Sequence, residues 1–314
     1  MFQSVAARSR FALMALMTLL VAPLAAAGAS PRTQVLVSTA WLAEHIADPD
    51  LVLFHVGAKE EYEAAHLPGA RLVTLHDVSV SSMEEGGLML QMPEAEDLRK
   101  RLETIGVSND SRVVVYWGKD WISPATRILF TLDYAGLGER VSILDGGQPL
   151  WTKEGRQVTA AVPETRAGKL SPLAIRSKIV DGDFVEAHRG KAGFAIVDAR
   201  DPEFYTGASS GGDGKHPHLR GHVTGAKTFP FTTLVDDGSR VLSDEELAKR
   251  FREAGVAAGD TVVVYCHIGQ QATATILAAR LAGHETRLYD GSFEDWSRRK
   301  GAAVEATVPE PAKP

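Results

Sequence analysis

One thiol is available for chemistry in the whole 314-residue chain, that of Cys266, so no intramolecular disulfide can form. It ends a β-branched run, Thr261-Val262-Val263-Val264-Tyr265, and is followed by the short segment His267-Ile268-Gly269. From Gln270 to Ala282 the chain is Ala-rich with apolar positions at helical spacing, which predicts a helix. The thiol is therefore expected on a strand-to-helix turn. Successive backbone N–H groups there can curl around the sulfur, with the helix N-terminus adding partial positive charge. Gly269 permits the positive φ that such a turn often needs. That environment favours a thiolate, and cysteines so placed can have pKa values of about 3.5 to 7.5 instead of ~8.5. A lone cysteine is more often a small buried hydrophobe. Here its position favours catalysis, because ligands of open α/β sheets bind at the carboxyl ends of the strands.

The elements that must position this turn occur twice. Arg112-Val113-Val114-Val115-Tyr116-Trp117 matches Thr261-Val262-Val263-Val264-Tyr265-Cys266, and Ile105-Gly106-Val107 matches Ala254-Gly255-Val256. Downstream, Tyr134-Ala135-Gly136 answers Leu281-Ala282-Gly283, Leu144-Asp145-Gly146-Gly147 answers Tyr289-Asp290-Gly291-Ser292, and Trp151 answers Trp296. Upstream, Leu53-Phe54-His55-Val56 parallels Ile196-Val197-Asp198-Ala199, and His66-Leu67-Pro68-Gly69-Ala70 parallels His222-Val223-Thr224-Gly225-Ala226. The second copy carries an additional Gly-rich loop from Gly207 to Gly221. Each copy alternates apolar strands with helices, which predicts an α/β fold of two tandem, similar domains, each a mostly parallel sheet flanked by helices. Expected boundaries are 30–156 for the first domain, a Pro- and Gly-containing linker at 157–173, a second domain at 174–303 and a disordered tail at 304–314.

With the second-copy motifs Asp198-Ala199-Arg200, Gly221-His222-Val223-Thr224-Gly225-Ala226, Cys266-His267-Ile268-Gly269-Gln270-Gln271-Ala272 and Asp290-Gly291-Ser292, the sequence resembles the tandem rhodaneses. The resemblance implies a catalytic second domain, with Cys266 carrying sulfur as a persulfide, and an inactive first domain, where Trp117 stands in the cysteine's place. It also implies a double-displacement transfer of sulfane sulfur from thiosulfate or a similar small-molecule donor to a thiophilic acceptor, cyanide or a thiol, without a cofactor. Thiosulfate-using relatives often place a cation two residues after the cysteine, where Ile268 stands, and mercaptopyruvate enzymes show a Cys-Gly-Ser-Gly type of loop. This loop matches neither fully. Its His-x-Gly-Gln-Gln form is similar to that of bacterial thiosulfate sulfurtransferases, and 3-mercaptopyruvate stays open as a donor. The arginine that many relatives carry just after the Asp-x-Arg segment is missing, with Phe204 nearest to its position.

Charge complementarity for a dianion must then come from other groups, and Arg200, Arg220, His222 and His267 are the candidates. Each has a structural reading beside the functional one. Arg200 can brace the strand end through Asp198 or Glu203, Asp198 can cap a helix or orient the loop, and His222 recurs as His66 in the inactive copy. Arg220 can simply be solvated in its loop, whereas His267 has only Gly118 opposite it in the first copy. Rival functions are a non-catalytic persulfide carrier, an interaction protein with two inert domains, and a phosphatase. Phosphatase loops need an arginine six residues after the cysteine, and Ala272 stands there. No metal-site cluster of Cys and His is present in the sequence.

Arg8 and Arg10 precede an apolar run from Phe11 to Leu24 and the small residues Ala25 to Ala29, the layout of a cleavable secretory signal at 1–29. Pro23 interrupts a run already shorter than the ~20 apolar residues of a spanning helix. Ser9 separates the two arginines, so the twin-arginine signature is absent. Cleavage after Ala27 or Ala29 would leave a periplasmic or secreted protein with no stable membrane insertion. The formal charge of −6 becomes −8 once Arg8 and Arg10 are lost, and no basic tract supports nucleic-acid binding.

Overall fold

The computed structural model describes residues 31–119, 121–212 and 217–308. The signal segment expected at 1–29 lies outside the described residues. In the first domain β1 (Leu36–Val37), β2 (Leu51–Val56), β3 (Arg71–Leu72), β4 (Arg112–Trp117) and β5 (Val141–Leu144) form a sheet in the order β1-β5-β4-β2-β3, with every neighbouring pair parallel. In the second, β6 (Ile179–Val180), β7 (Phe194–Asp198), β9 (Lys227–Thr228), β10 (Thr261–Tyr265) and β11 (Thr286–Tyr289) repeat it in the order β6-β11-β10-β7-β9, again all parallel.

The central strands β4 and β10 are β-branched and apolar because both sheet faces are covered by helices. Val262, Val263 and Val264 are fully enclosed, each burial worth about 1.5–3 kcal/mol relative to exposure. Register places His55 beside Tyr116 in the first sheet and Asp198 beside Tyr265 in the second. Each copy thus brings its polar strand-end residue next to the tyrosine that precedes position 117 or 266. The repeat extends to hydrogen bonds: Leu67 N–H donates to Tyr116 Oη and Val223 N–H to Tyr265 Oη, both at 3.1 Å.

The domains meet along two equivalent helices, Ser123–Leu132 and Ala272–Leu281. Their alanines and threonines let the backbones approach, and the Thr126 and Thr273 hydroxyls hydrogen-bond across the interface at 2.9 Å. The Ala272–Leu281 helix is buried at every position except Arg280, so it is held on one side by the second sheet and on the other by the first domain.

Residues 157–173 contain no helix or named strand, but they are tied to the first domain. Thr159 bridges His66, Gly168 N–H donates to Glu103 O at 2.7 Å, and Leu170 is buried. The C-terminal segment departs from the expected disordered tail at 304–314. Val304–Glu305, here β12, pairs antiparallel with His222–Val223, β8, and Thr307 and Val308 N–H donate to Thr206 O. Glu305 is the physical reason, since its carboxylate accepts from Gly225 N–H and meets His222 Nε2, both at 3.0 Å. Residues from 309 onward lie outside the described residues. Among the described residues no helix is long and apolar enough to cross a membrane.

Candidate active site

Cys266 follows β10 directly and is completely buried. Its own N–H donates to the Ser292 hydroxyl at 3.2 Å, and its carbonyl accepts from Phe293 N–H at 2.9 Å. Ser292, at φ +53°, is held in turn by donation to Tyr289 O, so the turn after β11 grips the cysteine backbone. The thiol lies against the loop that follows it, and the backbone amides of Ala272, Ile268, Gly269 and Gln271 act on it to favour the thiolate. Gly269 takes φ +83°, and a Cβ there would stand 2.8 Å from Asp290 O. Glycine at this position serves both the left-handed turn and the close approach.

The thiol's acidity differs from the sequence expectation. Burial pushes Cys266 above the ordinary thiol value, and the four amides pull it back without cancelling that effect. Sequence reveals the amide cradle but not how completely it is roofed. The thiolate fraction should therefore keep rising through pH 9. Alkylation of the protein by iodoacetamide between pH 6 and 10 is expected to accelerate with pH and show no plateau below pH 9. A plateau near neutrality would contradict the dominance of burial.

His267 lies beside the cysteine with its ring edge-on to Phe204 at 4.5 Å and near His218 at 5.7 Å. Burial, then the charges of Arg200 and His218, lower its pKa to about 3, so it is neutral at physiological pH. It cannot act as a cation toward a dianion there. A cavity of about 320 Å³ adjoins His267 and Ile268, bordered by Met83 and Met89 of the first domain and by His218, Glu294 and Arg298 of the second. Arg298 is paired with Glu294 at 2.8 Å, and Glu294 also accepts from Met89 N–H. Gln270 reaches the first domain by donating to the Ser123 hydroxyl at 3.1 Å, while the buried Oε1 of Gln271 has no hydrogen-bond partner among the described residues. Ala272 opens the helix and is fully enclosed.

The charged candidates fall into structural roles. Arg200 and Asp198 form a fully buried pair, Nη2 to Oδ2 at 2.6 Å, in which Asp198 also accepts from Arg200 N–H and from Tyr265 Oη. Arg200 donates further to Gly221 O and lies 3.9 Å over the Phe293 ring. These contacts make the pair a brace for the end of β10, and they connect the Gly-rich loop to it. His222 is buried, stacked on Tyr205 at 3.6 Å, with Nδ1 at Tyr205 O and Nε2 at Glu305. His66 repeats this arrangement on Tyr62, which identifies the histidine as a turn device common to both domains. Arg220 donates to Ala208 O within its own loop.

In the first domain the equivalent place is filled. Trp117 is buried, and a Cβ on Gly147 would fall 2.6 Å from its indole. His55, in the position of Asp198, hydrogen-bonds Tyr116 Oη at 3.1 Å and is held neutral, its pKa lowered to about 4 by burial. Sequence reasoning missed Ser292 as the support of the Cys266 backbone, and missed Arg127, a first-domain side chain that reaches Gly269 O at 3.1 Å. The available signal for Arg127 was a charged residue in an apolar helix at a position where the repeat has Ala274.

Comparison with known proteins agrees with this geometry. The family model for the rhodanese-like domain matches residues 38–154 and again 182–299. The 3-mercaptopyruvate sulfurtransferase of Escherichia coli is 30% identical over 285 residues, spanning 86% of this chain and 97% of the relative. The thiosulfate sulfurtransferase of Rattus norvegicus is 29% identical over 85% of this chain and 93% of its own length, and the sulfur carrier protein TtuD of Thermus thermophilus 29% over 86% and 96%. Among solved structures, that of YnjE superimposes with a TM-score of 0.77 at 22% identity, over 89% of this chain and 70% of the other, a likeness of fold. With two matched copies, an intact cysteine loop in the second and a tryptophan in its place in the first, the chain belongs to the rhodanese family as a tandem-domain member.

Proposed function

We propose that the protein is a sulfurtransferase that moves sulfane sulfur from thiosulfate, or a similar donor, to cyanide or a thiol through a persulfide on Cys266. The observation that carries this reading is the asymmetry of the repeat: a single buried thiol at the strand-to-helix turn of the second domain, against a buried indole in the first. The Cys266 thiolate attacks the outer sulfur of thiosulfate, the S–S bond breaks, and sulfite leaves with the bonding pair. The outer sulfur of the resulting persulfide carries the negative charge, which the loop amides stabilise. Cyanide then attacks that sulfur, thiocyanate leaves, and the thiolate returns.

The relatives' names divide between thiosulfate, 3-mercaptopyruvate and sulfur carriage, so the donor is the finer question. Steady-state turnover with each donor and cyanide answers it. Thiosulfate is expected to support turnover with parallel double-reciprocal lines when both substrates are varied. Loading by thiosulfate without turnover would favour the carrier reading, and faster turnover with 3-mercaptopyruvate would reassign the donor. The leader at 1–29 supports action outside the cytoplasm, which N-terminal sequencing of the exported protein would test through cleavage after Ala27 or Ala29.

A further inference from the structure

Arg127 is the side chain that most clearly departs from the internal repeat. It sits in the helix Ser123–Leu132 with no exposed surface, and its counterpart in the second domain, counted back from the matched Gly136 and Gly283, is Ala274. Burying a guanidinium is costly unless it is paired and its donors are used. Its partners engage both Nη nitrogens, while the buried Nε has no hydrogen-bond partner among the described residues. Nη1 donates to Asp290 Oδ1 at 2.7 Å and to Gly269 O at 3.1 Å, and Nη2 donates to Leu90 O at 2.6 Å. Two of these acceptors belong to the second domain, and one of them is the backbone of the cysteine loop.

Asp290 completes the connection by accepting from Met92 N–H of the first domain at 2.7 Å through Oδ2. The other half of the molecule has the corresponding carboxylate contact: Asp145 of the first domain accepts from Val241 N–H of the second at 2.8 Å. An amide-to-aspartate latch therefore occurs on both sides of the domain interface. Among the described residues, the buried arginine and its bond to a loop carbonyl are added only on the side that carries the cysteine.

We propose that Arg127 is a positioning residue for the Cys266 loop, by which the inactive first domain holds the Gly269 carbonyl turned outward so that the loop's amides stay directed at the sulfur. The physical alternative for this loop is a flipped peptide between Gly269 and Gln270. Glycine permits such a flip at little steric cost, and it would draw the Gly269 and Gln271 amides on either side away from the sulfur. Arg127 gives the outward orientation a charge-assisted hydrogen bond, stronger than one between neutral groups. It also explains what a domain without a cysteine contributes to the reaction.

This inference rests on the reading of Cys266 as the nucleophile, and its test uses a readout independent of any sulfur donor. Arg127→Met, Arg127→Lys and the double variant Arg127→Met with Asp290→Asn are compared with the wild-type protein by iodoacetamide alkylation of Cys266 across pH 6–10. Near-ultraviolet circular dichroism checks the fold. Arg127→Met is expected to slow alkylation at pH 8 at least tenfold and to move its pH profile upward, with Arg127→Lys recovering part of the loss. The double variant, which removes both buried charges, is expected to fold and still show the shifted profile. If the single Met variant does not fold, the double and Lys variants decide. A folded variant with the wild-type pH profile would overturn the proposal, even if it melts at a lower temperature. Absence of sulfur transfer by the wild-type protein would instead count against the function proposed above, leaving the alkylation comparison readable.

Discussion

Replacing Arg200 by methionine is expected to destabilise the protein by about 3–5 kcal/mol, the usual effect of removing one partner from a buried ion pair. Both charges are enclosed, with Arg200 1% and Asp198 0% exposed, so water cannot compensate for the lost partner. Three guanidinium contacts to the carboxylate disappear, together with the bond to Gly221 O and the stacking on Phe293. The carboxylate keeps only its neutral donors, Tyr265 Oη and the residue-200 N–H. Urea denaturation of the single variant measures the loss. Replacing Asp198 by leucine in the same chain should return part of the stability, because no uncompensated charge is then buried. A single-variant loss below about 1 kcal/mol would mean that the pair is not the brace described above.

Replacing Cys266 by serine is expected to abolish sulfur transfer, with a fall of at least about a thousandfold, as for loss of other catalytic nucleophiles. No second thiol exists to take over. A serine hydroxyl ionises far less readily and forms no stable bond to sulfane sulfur. The fold should tolerate the change, because the hydroxyl can accept from the same loop amides that face the thiol. Turnover with thiosulfate and cyanide, measured beside a thermal melt, separates these outcomes. Residual activity within tenfold of wild type would remove Cys266 from the mechanism.

Sequence made some of this site legible and hid the rest for identifiable reasons. The cysteine turn is local: the β-branched run, Gly269 and the alanine-rich helix lie within about twenty residues, so strand, turn and helix can be read in order. The repeat was legible because aligned landmarks compare one copy with another and require no knowledge of contacts. Arg200 and Asp198 were recognisable as a pair, since Asp198 is two residues away, yet their complete burial depends on Tyr265, Gly221 and Phe293, which are distant in the chain. The bond from Arg127 to Asp290 joins residues 163 positions apart and across two domains, which no local pattern encodes. Likewise, the raised pKa of Cys266 and the lowered one of His267 come first from burial, a property of the assembled fold. The ordered segment at Val304–Glu305 was missed for the same reason: its partner strand lies at His222–Val223.

Transferable sulfur bound to Cys266 itself is read out by intact mass spectrometry. The protein is mixed with excess thiosulfate, its mass recorded, and cyanide then added, with the Cys266→Ser variant treated in parallel. A gain of one sulfur atom, about 32 Da, is expected in the wild-type protein alone, with its removal by cyanide. An unchanged mass in a protein whose Cys266 still reacts with iodoacetamide would contradict persulfide formation from thiosulfate.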